Sequence, residues 1–113
     1  MTLYGISNCD TVRKARQWLE QHDIAYRFHD YREDGISRRL LGQWVEELGW
    51  EALLNKRSTT WRRLDEQQRD GINRSRAIAL MAAQPTLIRR PLLDTGHEKL
   101  VGFAREQYRN LLG

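Results

Sequence analysis

Cysteine, proline, lysine and long apolar stretches are all scarce in this sequence of 113 residues. Its single cysteine, Cys9, excludes an internal disulfide framework and any cysteine-rich zinc site. The 3 histidines stand at no metal-ligand spacing, so we predict that the protein has no metal centre. The longest unbroken apolar run, residues 77–83, falls far short of the ~20 residues that a membrane-spanning helix needs. We therefore predict no membrane partner.

The start of the chain and its charges narrow the class of protein further. No basic segment followed by an apolar stretch opens the sequence, so a secretory signal is not expected and we predict a cytoplasmic protein. The chain has 19 Lys and Arg residues against 15 Asp and Glu, and most of the basic residues are arginines, whose planar groups suit oxyanions. Because the arginines are dispersed among acidic residues, we interpret the surface as mixed and predict no nucleic-acid partner.

The first 28 residues have the pattern of a strand, a helix and a second strand. Residues 3–6 predict a short strand, and residues 11–21 carry apolar side chains at helical spacing. Apolar and polar residues then alternate over residues 24–28, as in a second strand. So short a βαβ unit predicts that the two strands are parallel.

Residues 36–84 are predicted to form a helical insertion. Ser37 is the expected N-cap of its first helix, and Pro85 is expected to end its last. The predicted helices span residues 37–49, 50–54, 61–68 and 73–84.

Strands return after the insertion. Residues 86–88 are β-like, and the short turn between residues 91–94 and 99–101 predicts an antiparallel hairpin. A closing helix over residues 104–112 would bury three of its side chains, namely Ala104, Tyr108 and Leu111. The order βαβ, helical insertion, ββα predicts one α/β domain over residues 1–113 with a mixed sheet.

Cys9 lies where the first predicted strand passes into the first helix. Backbone N–H groups and the helix dipole at such a position favour a thiolate, and they lower a thiol pKa of about 8.5 to roughly 3.5–7.5. Arg13 and Lys14, one turn later, would add positive charge, whereas Asp10 beside the thiol opposes it. We interpret Cys9 as a reactive nucleophile; the alternative is a buried structural cysteine.

The second candidate site is Arg89-Arg90-Pro91. Cis peptides occur almost only before proline, and the predicted topology brings the loop before the hairpin beside the first βα turn. We therefore predict a cis Arg90–Pro91 bond with Arg90 near Cys9. The alternative is a strand start with two solvated arginines.

Three segments carry a resemblance to a known family: YGISNCDTVRKA at residues 4–15, LLNKR at residues 53–57 and LIRRPL at residues 87–92. In this order and separation they resemble the arsenate-reductase-like (ArsC/Spx/YffB) family, and the opening segment and the short length resemble its YffB branch. The similarity covers nearly the whole chain. It implies a thioredoxin-like fold with a helical insertion.

The resemblance implies roles for several residues. Cys9 matches the family nucleophile, Arg13 the basic residue four positions later, and Arg90 the arginine before the cis proline, here Pro91. Asn8, in the turn before the cysteine, is included among the residues expected to bind the thiolate or the substrate.

Two positions depart from the arsenate reductases that the chain resembles. Those enzymes hold the oxyanion with two further arginines, and this chain has Asn55 and Gly102 at the matching positions. Arg57, two residues after Asn55, is the remaining candidate for binding an anion in that segment. Arsenate is therefore expected to be a poor substrate.

Another departure concerns the second cysteine of the Cys-x-x-Cys pair that Spx regulators carry, because Val12 stands there. A disulfide formed by Cys9 must then be resolved by an external thiol. We expect glutathione as co-substrate, with no permanently bound cofactor, and its carboxylates would meet Arg90, Arg13 or Arg57.

Two functions of different kinds follow. The first is a monothiol, glutathione-dependent reductase that acts on a small thiol or disulfide or on a protein disulfide, with Cys9 as nucleophile. The second is a redox-responsive regulator that binds RNA polymerase or another protein, with glutathionylation of Cys9 as its switch. Arsenate reduction is a third hypothesis.

Overall fold

The computed structural model describes all residues, Met1–Gly113, as four strands and eight helices. The strands are β1 (Thr2–Gly5), β2 (Arg27–Asp30), β3 (Leu92–Asp94) and β4 (Lys99–Val101). The helices are α1 (Asp10–Gln21), α2 (Tyr31–Asp34), α3 (Arg38–Leu48), α4 (Trp50–Leu53), α5 (Thr59–Arg63), α6 (Glu66–Arg69), α7 (Arg74–Ala83) and α8 (Arg105–Leu112). One further turn of 3-10 helix covers Pro85–Leu87.

The chain forms two compact units. The sheet unit comprises Met1–Asp34 and Arg90–Gly113, and the helical unit comprises Gly35–Arg89. None of the helices has both the length and the apolar composition needed to cross a membrane.

The sheet unit is built on a four-stranded mixed sheet in the order β2-β1-β3-β4. β1 pairs with β2 in parallel and with β3 in antiparallel, and β3 and β4 form a hairpin. The predicted βαβ unit and the predicted hairpin are both confirmed, as is the α/β class.

One face of this sheet packs against α1 and α8. Leu3 of β1 and Leu93 of β3 stand opposite each other in the register and are fully buried with Leu19 of α1 and Tyr108 of α8. Each such apolar side chain stabilises the fold by about 1.5–3 kcal/mol. This core fixes α1, and with it the position of Cys9, against the end of β1.

The helical unit packs α3 against α7 and buries Leu41, Trp44, Ala77 and Met81 completely. Ser37 caps α3 by accepting a hydrogen bond from Leu40 N–H at 3.1 Å, as predicted from the sequence.

The prediction of a strand at residues 86–88 is wrong. Pro85 begins a 3-10 turn there, and the segment belongs to the helical unit. Ile88 then forms only a single bridge, to Leu54. The backbone of Arg89 donates to the carbonyl of Leu53 at 2.8 Å, so this segment pairs within its own unit rather than with the sheet.

Other predicted boundaries also need correction. β2 begins at Arg27 rather than at residue 24, because Ile24 N–H closes α1 by donating to Leu19 O at 3.0 Å. The helix predicted over residues 61–68 is divided by Asp65, whose side chain forms a capping box at the start of α6.

The helix predicted over residues 104–112 begins one residue later than expected. Ala104 is its exposed N-cap and Leu111 is half-buried, so of the three side chains predicted to point inward only Tyr108 is buried.

Candidate functional site

The turn between β1 and α1 fixes the backbone of Cys9 on both sides. Cys9 N–H donates to Ile6 O at 3.2 Å, and Cys9 O accepts from Arg13 N–H at 2.9 Å. Cys9 is the N-cap of α1, in an extended backbone conformation, and its side chain is half-buried. The thiol therefore stands at the positive end of the helix.

Gly5 allows α1 to approach the end of β1 closely. A Cβ atom at Gly5 would lie 2.7 Å from Cγ2 of Val12, which is closer than carbon atoms pack. Any side chain there would force Val12, in the first turn of α1, to shift.

Asp30 holds the same turn from the neighbouring strand. Its carboxylate accepts hydrogen bonds from Ser7 N–H at 3.4 Å and from Arg32 N–H at 2.8 Å, and the residue is only 6% exposed. Burial raises the pKa of Asp30, but these hydrogen bonds lower it by more, so the carboxylate is charged at neutral pH. Asp30 is not among the site residues predicted from the sequence; its signal is an acidic side chain that ends the strand parallel to β1.

The groups around Cys9 favour its thiolate. Partial burial raises the pKa of Cys9, but hydrogen bonding from Val12 N–H, from the Arg90 guanidinium and from Thr11 N–H lowers it further than burial raises it. The charge of Arg90 acts in the same direction. The pKa of this thiol therefore lies below its ordinary value.

Arg90 reaches the thiol because β3 is antiparallel to β1. Leu92, the first residue of β3, stands opposite Tyr4 near the end of β1, so the residues that precede it lie beside the turn that carries Cys9. The Arg90–Pro91 peptide bond is cis, as predicted from the sequence. Pro91 is buried, and its carbonyl accepts a hydrogen bond from Gly102 N–H at 2.8 Å.

Tyr31 is a second neighbour of Arg90. Its side chain is 2% exposed, and its ring lies 6.3 Å from that of Tyr4. Burial raises the pKa of Tyr31 well above its ordinary value, although Arg90 partly offsets this. The phenol is therefore neutral at physiological pH, and Cys9 does not compete with a phenolate for the charge of Arg90.

Arg13 forms an ion pair with Asp10, whereas the arginine that acts on the pKa of Cys9 is Arg90. The hydrogen bond from Arg13 lowers the pKa of Asp10, so this carboxylate is charged and paired. The acidic neighbour expected to oppose the thiolate is thus neutralised by the arginine expected to assist it. Asn8 is exposed in the turn immediately before Cys9.

Arg57 lies in the helical unit, in a turn organised by Asn55. The side-chain oxygen of Asn55 accepts from Arg57 N–H at 3.1 Å, and its carbonyl accepts from the Ser58 hydroxyl at 2.8 Å. Asn55 is therefore engaged in shaping the turn, and the Arg57 side chain is exposed. Its role in binding an anion stays a prediction.

Gly102, at the position that the resemblance matches to an arginine of arsenate reductases, has a left-handed backbone with φ of +84°. A side chain there has room but would be strained, because L-residues rarely adopt this conformation. The backbone itself thus disfavours the missing arginine.

No group of three or more His, Cys, Asp or Glu side chains in the structure could hold a metal ion. The groups that the structure brings together around Cys9 are the thiol, the Arg90 guanidinium and backbone amides of α1.

Comparison with known proteins places the chain in a family. The family model described as ArsC family matches residues 4–111. The chain belongs to the ArsC family. The resemblance seen in the sequence is confirmed, and so is the thioredoxin-like fold that it implied.

Relatives of two kinds cover almost the whole chain. An uncharacterized protein of Haemophilus influenzae is 46% identical over 108 residues, which is 96% of this chain and 95% of that protein. The global transcriptional regulator Spx of Streptococcus mutans is 31% identical over 99% of this chain and 82% of its own length. Among solved structures, a YffB protein is 48% identical with a TM-score of 0.96, covering 99% of this chain and 98% of that one.

Proposed function

We propose that this ArsC-family protein is a monothiol, glutathione-dependent thiol/disulfide reductase with Cys9 as its nucleophile. The observation that carries the proposal is the environment of Cys9, where backbone N–H groups of α1 and the Arg90 guanidinium favour the thiolate. Only the thiolate attacks a disulfide, so a lowered pKa increases the reactive fraction at neutral pH.

The proposed reaction has two exchanges. The Cys9 thiolate attacks one sulfur of a disulfide, a new S–S bond forms, and the other sulfur leaves as a thiolate. Because the chain has no second cysteine, a glutathione thiolate then attacks the mixed disulfide and releases Cys9 as a thiolate. The electrons come from glutathione, which ends in a disulfide.

Arg90 has the position needed for both exchanges. It stabilises Cys9 when that sulfur is the attacking thiolate and again when it is the leaving thiolate. Arg13 would have to leave Asp10 before it could bind a glutathione carboxylate. A cytoplasmic location, with its supply of reduced glutathione, belongs to the same proposal.

Oxidised glutathione tests the proposal directly. The reduced protein should gain one glutathionyl group per chain by mass spectrometry, and reduced glutathione should remove it. Cys9→Ser should gain none, because Cys9 is the only thiol. A protein that stays unmodified while folded, or a thiol with an ordinary or raised pKa, would leave Cys9 a structural residue.

A second candidate function is a redox-responsive regulator of the Spx kind. The observation that favours it is the 31% identity to Spx over 99% of this chain. In this case Cys9 would switch the binding of a protein partner such as RNA polymerase. Sustained reduction of a disulfide at the expense of glutathione supports the enzyme, whereas partner binding that changes on glutathionylation, without turnover, supports the regulator.

A further inference from the structure

A surface groove runs between α1 and α8 of the sheet unit and encloses about 220 Å³. Its wall on α1 comes from residues at helical spacing, and its wall on α8 comes from Arg105 and Arg109, which are one turn apart. The groove begins at Lys14, more than one helical turn beyond Cys9, and continues to the end of α1.

Aromatic packing makes one side of the groove rigid. The rings of Trp18 and His22 stack with centroids 3.9 Å apart, and His22 Nδ1–H donates to Trp18 O at 2.8 Å. Trp18 is 5% exposed and meets the edge of the buried Tyr108 ring at 5.6 Å. A pocket wall held in this way keeps its shape when a ligand binds.

The charge of the groove is of one sign. Lys14, Arg105 and Arg109 are three cations, and no carboxylate lines the groove. None of the three forms an ion pair, although the charge of Lys14 also acts on Asp10, one turn earlier in α1. Three positive charges at one place are comparable with the formal net charge of +4 of the whole chain. Arg13, on the same helix, differs from these three residues because it forms an ion pair with Asp10. Like charges gathered without a partner repel each other, and an anion relieves that repulsion.

We propose that this groove binds a small polyanion that carries two or more phosphate or carboxylate groups. The two guanidinium groups offer paired N–H donors that match such oxyanions, and the amides of Gln17 and Gln21 add neutral donors. The volume is below the ~300 Å³ at which pockets for larger ligands begin, which suits a compact polyanion. This site goes beyond the proposed thiol chemistry and does not depend on it.

Pyrophosphate and citrate are the probes for the test, one carrying phosphate groups and the other carboxylates. Each is titrated into the ¹⁵N-labelled full chain at constant ionic strength, and amide shifts are followed by NMR. The shifts should saturate and should concentrate on the groove residues of α1 and α8. The ratio of the two affinities then assigns the chemistry of the anion.

Three variants give the titration its controls. Arg105→Gln and Arg109→Gln should each weaken the binding of the preferred probe about tenfold, the factor that corresponds to about 1.4 kcal/mol. Arg39→Gln is the matched control, because it removes the same charge from an exposed helical arginine that does not line the groove. Cys9→Ser should bind as the natural chain does, so failure of the thiol proposal and failure of this one are distinguishable.

Two results would overturn the proposal. One is a set of shifts that grows without saturation for both probes and spreads over exposed basic residues throughout the chain. The other is an equal loss of affinity in Arg39→Gln and Arg109→Gln, which would show that only the net charge matters.

Discussion

The helices of the two units begin in different ways. In the helical unit, α3, α5, α6 and α7 each start at a residue whose side chain accepts a backbone N–H hydrogen bond. These N-cap residues are Ser37, Ser58, Asp65 and Asn73, and the short α4 after Gly49 is the exception. In the sheet unit, the short α2 has such a bond, from Arg32 N–H to the Asp30 carboxylate, whereas the longer α1 and α8 start at the neutral thiol of Cys9 and at Ala104 without one.

The capped helix ends contribute to stability, whereas the N-terminus of α1 at Cys9 is available for chemistry. A capping oxygen satisfies first-turn N–H groups that would otherwise lack a partner, and it stabilises the helix by about 1 kcal/mol. At Cys9 those groups face a neutral thiol, a poor acceptor, and they gain a good one only when the thiol loses its proton. The fold thus forgoes a cap where it can favour a thiolate.

The largest effect should come from removing the guanidinium at Cys9. In Arg90→Gln the pKa of Cys9 should rise, because the hydrogen bond and the charge of Arg90 both lower it in the natural chain. Alkylation by iodoacetamide at neutral pH should slow several-fold, measured as rate against pH. The backbone amides of α1 remain in this variant and still oppose burial, which raises the pKa.

Arg13→Gln serves as the comparison for this variant. Because Arg13 pairs with Asp10, its loss should change the alkylation rate less than the loss of Arg90 does. Equal rates in Arg90→Gln and in the natural chain would remove Arg90 from the site and leave the helix end as the source of activation.

The residues of the site differ in how far the sequence predicts them. The place of Cys9 follows from local pattern, since a strand, a short turn and a helix can be recognised within 21 residues. The cis bond before Pro91 could be proposed because proline is the residue that permits it. Its position beside Cys9 needed the topology as well, which the order of elements supplied.

Contacts between side chains could not be predicted from the sequence. The ion pair of Arg13 with Asp10 depends on the rotamers of both side chains. The hydrogen bond from Ser7 N–H to Asp30 depends on the register of the strands. The sequence predicts the helical insertion, but it also predicts a strand at residues 86–88, because apolar residues in a 3-10 turn and in a short strand have no distinguishing period.

Exchanging caps should produce the next largest effect. Asn73→Ala should lower the free energy of unfolding by about 1 kcal/mol, because it removes the acceptor of the Arg76 N–H bond. At a pH low enough to keep the Cys9 thiol protonated, Cys9→Ser should raise it, by up to about 1 kcal/mol, because a hydroxyl can cap α1 where the neutral thiol does not. Denaturant unfolding under reducing conditions measures both. A Cys9→Ser protein less stable than the natural chain would mean that the end of α1 is already satisfied.

Substitutions of two glycines should change the stability by smaller amounts and in opposite directions. Gly42→Ala, inside α3 and with open space around the new Cβ, should stabilise the protein by about 0.5–1 kcal/mol. Gly102→Ala should destabilise it by about 1 kcal/mol, because its φ is +84°. If Gly102→Ala proves neutral in thermal or denaturant unfolding, backbone strain is not what disfavours an arginine at this position.

The smallest effect should be a pH dependence of stability that comes from Cys9 itself. Its pKa in the folded state is below the value of about 8.5 that a free thiol has in the unfolded chain. Between those two values the unfolded chain binds more protons than the folded one, so the free energy of unfolding rises with pH across that interval and is level above it. This contribution of Cys9 to the free energy of unfolding is lost again as the pH falls through the folded pKa. The thiol is half-exposed, so solvent screens its interactions and the rise should be smaller than the effect of a cap. Subtracting the curve of Cys9→Ser removes the contribution of every other titrating group, and a difference that falls between neutral pH and 8.5 would show that the fold disfavours the thiolate.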